Sequence, residues 1–197
     1  MSENRFYYVA RAAVTPLLHL LYPYRITGKE NIPLEGPAIL CSNHVHMFDP
    51  VFIATGTPRY IRYISKKELF ESKFLAWLFR HLGMFPVARG QADMSAMRTM
   101  LSILKEGGVL GIFPQGHRYK NDDHRQLETG AAIIALRARV PVIPIHVNGP
   151  LKLFRRNEIT VGKPVVLDDL KRIDAPTLAE ADNRLIAAIW KDTPEKQ

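Results

Sequence analysis

Pro37-Ala38-Ile39-Leu40-Cys41-Ser42-Asn43-His44-Val45-His46-Met47-Phe48-Asp49-Pro50 changes character twice along its length. Its first five residues form an apolar run bounded by turn formers, the pattern of a short buried strand. Asp49-Pro50 reads as a helix start, with Asp as N-cap and Pro at the first helical position. Between them lies a polar loop with an asparagine, two histidines and the aspartate. Strand, polar loop and helix in that order belong to an α/β fold, whose strand C-termini host the chemistry.

The alternation continues outward. Arg59–Ser65 reads as a second strand, Glu68–Leu82 as a helix rich in Phe, Leu and Trp, and Met84–Val87 as short and extended. Asp93–Lys105 has helical spacing in Met94, Met97, Met100, Leu101 and Leu104, and Gly107-Gly108 stops it. Val109–Phe113 is another apolar run, followed by Pro114-Gln115-Gly116. Thr129–Ala138 reads as a helix, and Val140–Val147 as a strand near an edge because it tolerates Pro141 and Pro144. Glu158–Val161 and Val165–Leu167 suggest a hairpin-like pair. Thr177-Leu178-Ala179-Glu180 reads as a capping box opening a C-terminal helix. The expected fold class is α/β: a single domain with a mostly parallel central sheet flanked by helices. Loops 42–49 and 114–118 each follow a buried strand, which places them on one rim.

With 197 residues, 47% hydrophobic and 23% charged, the chain has the composition of one globular domain and not of a disordered segment. Its net charge of +8 attracts polyanions: nucleic acid, an anionic membrane or phosphorylated substrates. The one cysteine, Cys41, excludes an internal disulfide and reads as a buried, inert thiol. The first residues do not have the pattern of a signal peptide. Tyr7–Tyr24 is apolar but broken by Arg11, Pro16 and His19, too short to span a bilayer. Residues 1–24 are expected to form an apolar helical segment at a membrane interface. Its tyrosines would sit at headgroup level, with Arg5, Arg11 and Arg25 towards anionic lipid. A helix packed on the core is the competing reading.

The chemistry concentrates on the rim. His44 and Asp49 are five apart, so they do not stack on a helix face, but in a loop entering a helix they can meet. The carboxylate then accepts from one imidazole nitrogen and leaves the other basic and oriented to take a proton. Against this stands a plain N-cap at Asp49 and a polar loop residue at His44. A metal reading also competes, with His44, His46 and Asp49 joined by His117, His124 or His146, but the spacing departs by one from the metallohydrolase run it resembles. Arg118, after Phe113-Pro114-Gln115-Gly116-His117, and Arg89, after Phe85-Pro86-Val87-Ala88, sit where guanidinium groups can bind an anion. No Gly-x-Ser-x-Gly, P-loop or dinucleotide fingerprint is present.

Four ordered blocks carry a family likeness: Asn43-His44-x4-Asp49, Gly83-Met84-Phe85-Pro86-Val87-x-Arg89, Phe113-Pro114-Gln115-Gly116-His117-Arg118 and Val140-Pro141-Val142-Ile143-Pro144-Ile145. With Gly28-Lys29-Glu30-Asn31-Ile32-Pro33 upstream, the chain resembles the 1-acylglycerol-3-phosphate O-acyltransferases over about residues 25–150, the core of an acyltransferase domain taken as 25–197. The resemblance implies His44 as general base on the acceptor hydroxyl and Asp49 as the residue that orients it. The acyl donor would be acyl-CoA or acyl-carrier protein, with no cofactor, no metal and no nucleic-acid partner. It further implies a substrate-binding set: Arg89 and Arg118 on the acceptor phosphate, Lys66 or Lys67 assisting, and Asn43, Gln115, Gly116 and Pro144, the last on the acyl side.

A lysophospholipid acceptor, phosphatidic acid as product and work at the cytoplasmic face of the cell membrane follow from the same resemblance. Three positions depart from the usual pattern: Gln115 replaces a glutamate, His117 replaces a threonine, and Glu128 replaces a lysine in the Phe-Lys-x-Gly run. These departures leave glycerol-3-phosphate or another lysophospholipid open as the acceptor.

Overall fold

The computed structural model describes residues 5–87, 94–119 and 126–191. A helix, α1 (Arg5–Leu21), leads into a short strand, β1 (Tyr24–Thr27). Then come β2 (Ala38–Ser42), α2 (Asp49–Thr55), β3 (Ile61–Lys66), α3 (Lys73–His81) and β4 (Met84–Val87). The second half adds α4 (Met94–Lys105), β5 (Val109–Ile112), α5 (Gly130–Ala138), β6 (Val142–Val147), β7 (Asn157–Val161) and α6 (Ala175–Ile189).

The strands form one sheet in the order β1-β7-β6-β2-β5-β3-β4. Every neighbouring pair is parallel except β6 and β7. β2 lies at the centre, with Cys41 opposite Ile112 of β5 on one side and Pro144 of β6 on the other. Both of its faces are covered, which is why β2, β5 and most of β6 are continuous apolar runs and do not alternate. Leu40, Ile143, Ile145 and Tyr63 pack on the face covered by α1 and α2. Ile39, Cys41, Leu110 and Val142 pack under α4, α5 and α6. The expected mostly parallel α/β sheet flanked by helices is what the chain forms.

Several boundaries differ from the sequence reading. The segment read as one helix over 68–82 is a 3-10 turn at Lys67–Phe70 followed by α3, because Ser72 takes an extended backbone and serves as the N-cap. The last helix opens earlier than Thr177: the Asp174 side chain accepts from the Thr177 N–H at 3.0 Å, and Pro176 fills a first-turn position that needs no donor. β1 had no alternating signal long enough to register. The expected hairpin of 158–161 with 165–167 does not form. Both segments instead lie antiparallel along β6, where Gly162 N–H donates to the Pro144 carbonyl and Val165 N–H to the Val142 carbonyl, each at 2.8 Å. β6 is therefore interior, not near an edge. Pro144 fits because its missing N–H faces Gly162, just past the last residue of β7.

α1 buries Tyr7 and Leu18 and so packs on the core as well as facing outward. Tyr7 meets Tyr8 and Tyr60 edge to face, and Arg11 donates to the Thr57 carbonyl, so neither points towards headgroups. Val9, Leu17 and Leu20 on the same helix are exposed, as are Phe74, Leu75 and Trp77 on α3. Among the described residues no helix is long and apolar enough to cross a membrane.

Candidate active site

β2 and β5 are adjacent and parallel, so the loops that leave them emerge on one rim, as their sequence positions imply. The His44 N–H donates to Gln115 Oε1 at 2.6 Å, and the Tyr119 N–H donates to the His44 carbonyl at 2.8 Å. These two bonds tie the histidine loop to the loop that carries Arg118.

His44 and Asp49 meet: Nδ1 lies 2.7 Å from Oδ2. The same carboxylate oxygen accepts from the N–H groups of Val45 and His46, both at 2.8 Å. An oxygen receiving two backbone donors acts as an acceptor, so Nδ1 carries the proton and Nε2 holds the free lone pair. Asp49 is fully buried, while the His44 side chain keeps 17% of its surface open to solvent. Asp49 is not the expected N-cap. It sits in the first turn of α2, behind Phe48 as cap, and turns its side chain back onto the loop. Its Oδ1 is buried without a partner among the described residues.

The imidazole is also held through its face. Phe113, the residue after β5, stacks on His44 with centroids 4.2 Å apart and planes at 25°. Behind it Tyr63 lies nearly parallel to Phe113 at 5.9 Å and donates to the Pro50 carbonyl at 3.1 Å. Burial raises the Tyr63 phenol well above its ordinary pKa. Sequence reasoning did not single out Tyr63. A signal was available: Gly111 interrupts the apolar run 109–113, and glycine inside a strand marks a close approach. An added Cβ there would overlap the Tyr63 ring.

Asn43 is also fully buried. Its Nδ2 donates to the Val147 carbonyl at 2.9 Å and its Oδ1 accepts the Val147 N–H at 2.7 Å. This side chain, read from the sequence as a substrate contact, holds the end of β2 to the end of β6. Gln115 is buried too, with its side chain on the His44 amide. Gly116 has φ of +69° and lies under the side-chain carboxylate of Glu128, and the backbone N–H of Glu128 donates to the Pro114 carbonyl at 2.7 Å. Lys66 and Lys67 close β3 on the same rim and are exposed, as is Arg118. Pro144 does not join them. It is buried and alternates with Ile143 and Ile145, so it faces the opposite side of the sheet from Phe113. Arg89 and His124 lie outside the described residues. Burial pushes the Cys41 thiol up to about 12, in keeping with an inert core cysteine. Among the described residues no three His, Cys, Asp or Glu side chains cluster as metal ligands would.

A family model described as Acyltransferase matches residues 23–148. A 1-acyl-sn-glycerol-3-phosphate acyltransferase of Bacillus subtilis is 31% identical over 159 residues, covering 78% of this chain and 79% of that protein. One of Streptococcus pneumoniae is 32% identical over 154 residues, covering 75% of this chain but 57% of its own length. The crystal structure of the 1-acyl-sn-glycerophosphate (LPA) acyltransferase PlsC from Thermotoga maritima has the same fold, with a TM-score of 0.67 at 21% identity over 93% of this chain and 74% of that one. The matched span contains both rim loops and the His44–Asp49 pair, and with a relative this similar over most of its length the chain belongs to the acyltransferase family.

Proposed function

We propose that this chain transfers an acyl group from a thioester, acyl-CoA or acyl-carrier protein, to the free hydroxyl of 1-acylglycerol-3-phosphate, giving phosphatidic acid. The observation that carries the reading is the hydrogen bond between His44 Nδ1 and the buried Asp49 carboxylate, which leaves Nε2 as base on a part-exposed ring. Nε2 takes the hydroxyl proton as the oxygen attacks the thioester carbonyl. The tetrahedral intermediate collapses, the C–S bond breaks, and the thiolate leaves with the proton from the imidazolium. Asp49 stabilises that imidazolium and keeps the tautomer. No acyl-enzyme and no cofactor enter the cycle as written.

Arg118 and Lys66 or Lys67, exposed on the same rim, are the acceptor phosphate's partners in this reading, with Arg89 as a further candidate from sequence alone. Gln115 and Asn43 position the histidine loop. The exposed apolar side chains of α1 and α3 face a membrane surface in this reading, which we place at the cytoplasmic face. One observation favours a second acceptor, a lysophospholipid whose headgroup carries less negative charge: the Glu128 carboxylate over Gly116 puts negative charge beside the loop that would bind phosphate. A panel of glycerol-3-phosphate, 1-acylglycerol-3-phosphate and other lysophospholipids separates the two.

The direct test is His44→Ala. It is expected to fold normally, by thermal melt, and to lose acyl transfer by at least ~10²-fold, the scale of general-base catalysis. Retention of more than about a hundredth of the wild-type rate removes His44 from the role.

A further inference from the structure

β6 runs parallel to β2, so the connection that leaves it, 148–156, also emerges on the active-site rim. It ends in Lys152-Leu153-Phe154-Arg155-Arg156, all exposed. Leu153 and Phe154 keep 50% and 66% of their surface in solvent. This exposure does not come from a loose loop. The buried Asn157 accepts from the Lys152 N–H at 2.7 Å and donates to the carbonyls of Lys152, Arg155 and Pro23, at 3.0, 2.7 and 3.2 Å. The Phe154 N–H donates to the Leu21 carbonyl at 2.7 Å, at the end of α1.

Phe154 has φ of +56°, a left-handed conformation that a bulky residue rarely adopts and that costs of order 1 kcal/mol. A turn needing that conformation would take glycine or asparagine at lower cost. Here a strained backbone, over-determined by side-chain and main-chain hydrogen bonds, holds an aromatic ring out in water between three cations.

We propose that residues 152–156 form an interfacial wedge: Leu153 and Phe154 enter the acyl boundary of an anionic lipid surface while Lys152, Arg155 and Arg156 pair with its headgroups. The surroundings fit that occupant. Leu17 and Leu20 are exposed on the adjoining end of α1, and Tyr22 links the helix through His46 to Phe48, next to the exposed Met47. Exposed apolar side chains therefore lie both on the helix end that adjoins the wedge and on the loop of His44. Exposed apolar tips ringed by cations are the composition of a lipid-interface element. This rests on the lipid-acyltransferase reading, and binding to substrate-free vesicles tests it without turnover.

The experiment uses the full chain and vesicles of phosphatidylcholine, alone or mixed with phosphatidylglycerol. Phe154→Gly suits the left-handed backbone, so together with Leu153→Ser it is expected to fold with a melting temperature no lower than wild type. Vesicle affinity is expected to fall about tenfold or more, the value of burying two apolar side chains. Lys152→Ala, Arg155→Ala and Arg156→Ala are each expected to weaken binding to mixed vesicles by about fivefold and to leave binding to phosphatidylcholine vesicles unchanged. Phe154→Trp emission, after subtraction of the wild-type signal from Trp77 and Trp190, is expected to shift to the blue on mixed vesicles. Activity towards a short-chain, monomeric acceptor is expected to stay at the wild-type level in all of them.

Wild-type vesicle affinity in the double variant, or no emission shift, overturns the wedge. Unchanged vesicle binding with a raised KM for an acyl-carrier-protein donor overturns it too, and identifies a protein-docking surface instead. Equal loss of monomeric-acceptor activity makes the loop part of the catalytic site.

Discussion

Asn43 pairs both of its amide atoms with the Val147 backbone, and its neighbour in the chain is His44. The histidine's ring is fixed by Asp49, its face by Phe113, its N–H by Gln115 and its carbonyl by Tyr119. Asn43 anchors the backbone from which these contacts start. Asn43→Ala leaves a buried N–H and a buried C=O of Val147 without side-chain partners, at about 1–3 kcal/mol each. The melting temperature is expected to fall by roughly 4–24 °C. The loss in kcat should exceed the change in KM, because the displaced group is the base and not a substrate contact. Asn43→Asp keeps the acceptor for the Val147 N–H but buries a carboxylate against the Val147 carbonyl, so at neutral pH it should lose at least as much stability as the alanine variant. Steady-state kinetics beside calorimetry check the order. His44 and Asp49 were legible as a pair because loop chemistry can bring residues five apart together. Val147, 104 residues away in sequence, carried no sign of its role.

At the scale of elements, the catalytic ring is positioned by strand packing. Tyr63 on β3 lies against Gly111 on β5, and the Tyr63, Phe113 and His44 rings follow as a stack. Gly111→Ala puts a methyl group where the Tyr63 ring is, and the fully enclosed ring has nowhere to go without pushing Phe113. Overpacking of this kind costs about 1–3 kcal/mol, and a displacement near 1 Å at a reacting group costs up to ~10²-fold in rate. The expected result is a fall in both melting temperature and kcat. Gly111→Ala combined with Tyr63→Leu should recover most of the melting temperature. A single variant as active as wild type would disconnect the stack from catalysis. The apolar runs of β2 and β5 were readable because buried parallel strands need no alternation. The break at Ser72 and the start of α6 at Asp174 were not, since caps are decided by one residue's backbone against a strong periodic background.

Across the whole molecule, chemistry and stability occupy opposite ends of the sheet. The rim at the strand C-termini carries the His44–Asp49 pair. At the far end Arg59 donates to the carbonyls of Pro33, Gly36 and Gly107, closing the connections into β2 and β5. One polar group on α6 works against the fold. Asp182 has a buried Oδ1 without a partner among the described residues, and burial raises its pKa. With the folded pKa above the unfolded one, the native state binds more protons in that window. Its contribution is complete below the ordinary aspartate pKa and is lost as pH rises through the folded value. Asp182→Asn is therefore expected to raise stability at pH 7 by about 1 kcal/mol, roughly 2–4 °C in melting temperature. The gain should disappear below the ordinary aspartate pKa, and melts across that pH range measure it.

The sequence by itself determined the alternation of buried strands and helices, the placing of loops 42–49 and 114–118 on one rim, and that His44 and Asp49 are within reach of each other. These follow from local patterns: apolar runs, turn formers and the reach of a side chain across a short loop. The tertiary structure alone decided the strand order, the interior place of β6, the pairing of Asn43 with Val147, the placing of Pro144 on the opposite face of the sheet from Phe113, and the outward thrust of Phe154. Each depends on partners far apart in the chain, whose meeting is set by which faces the sheet must cover.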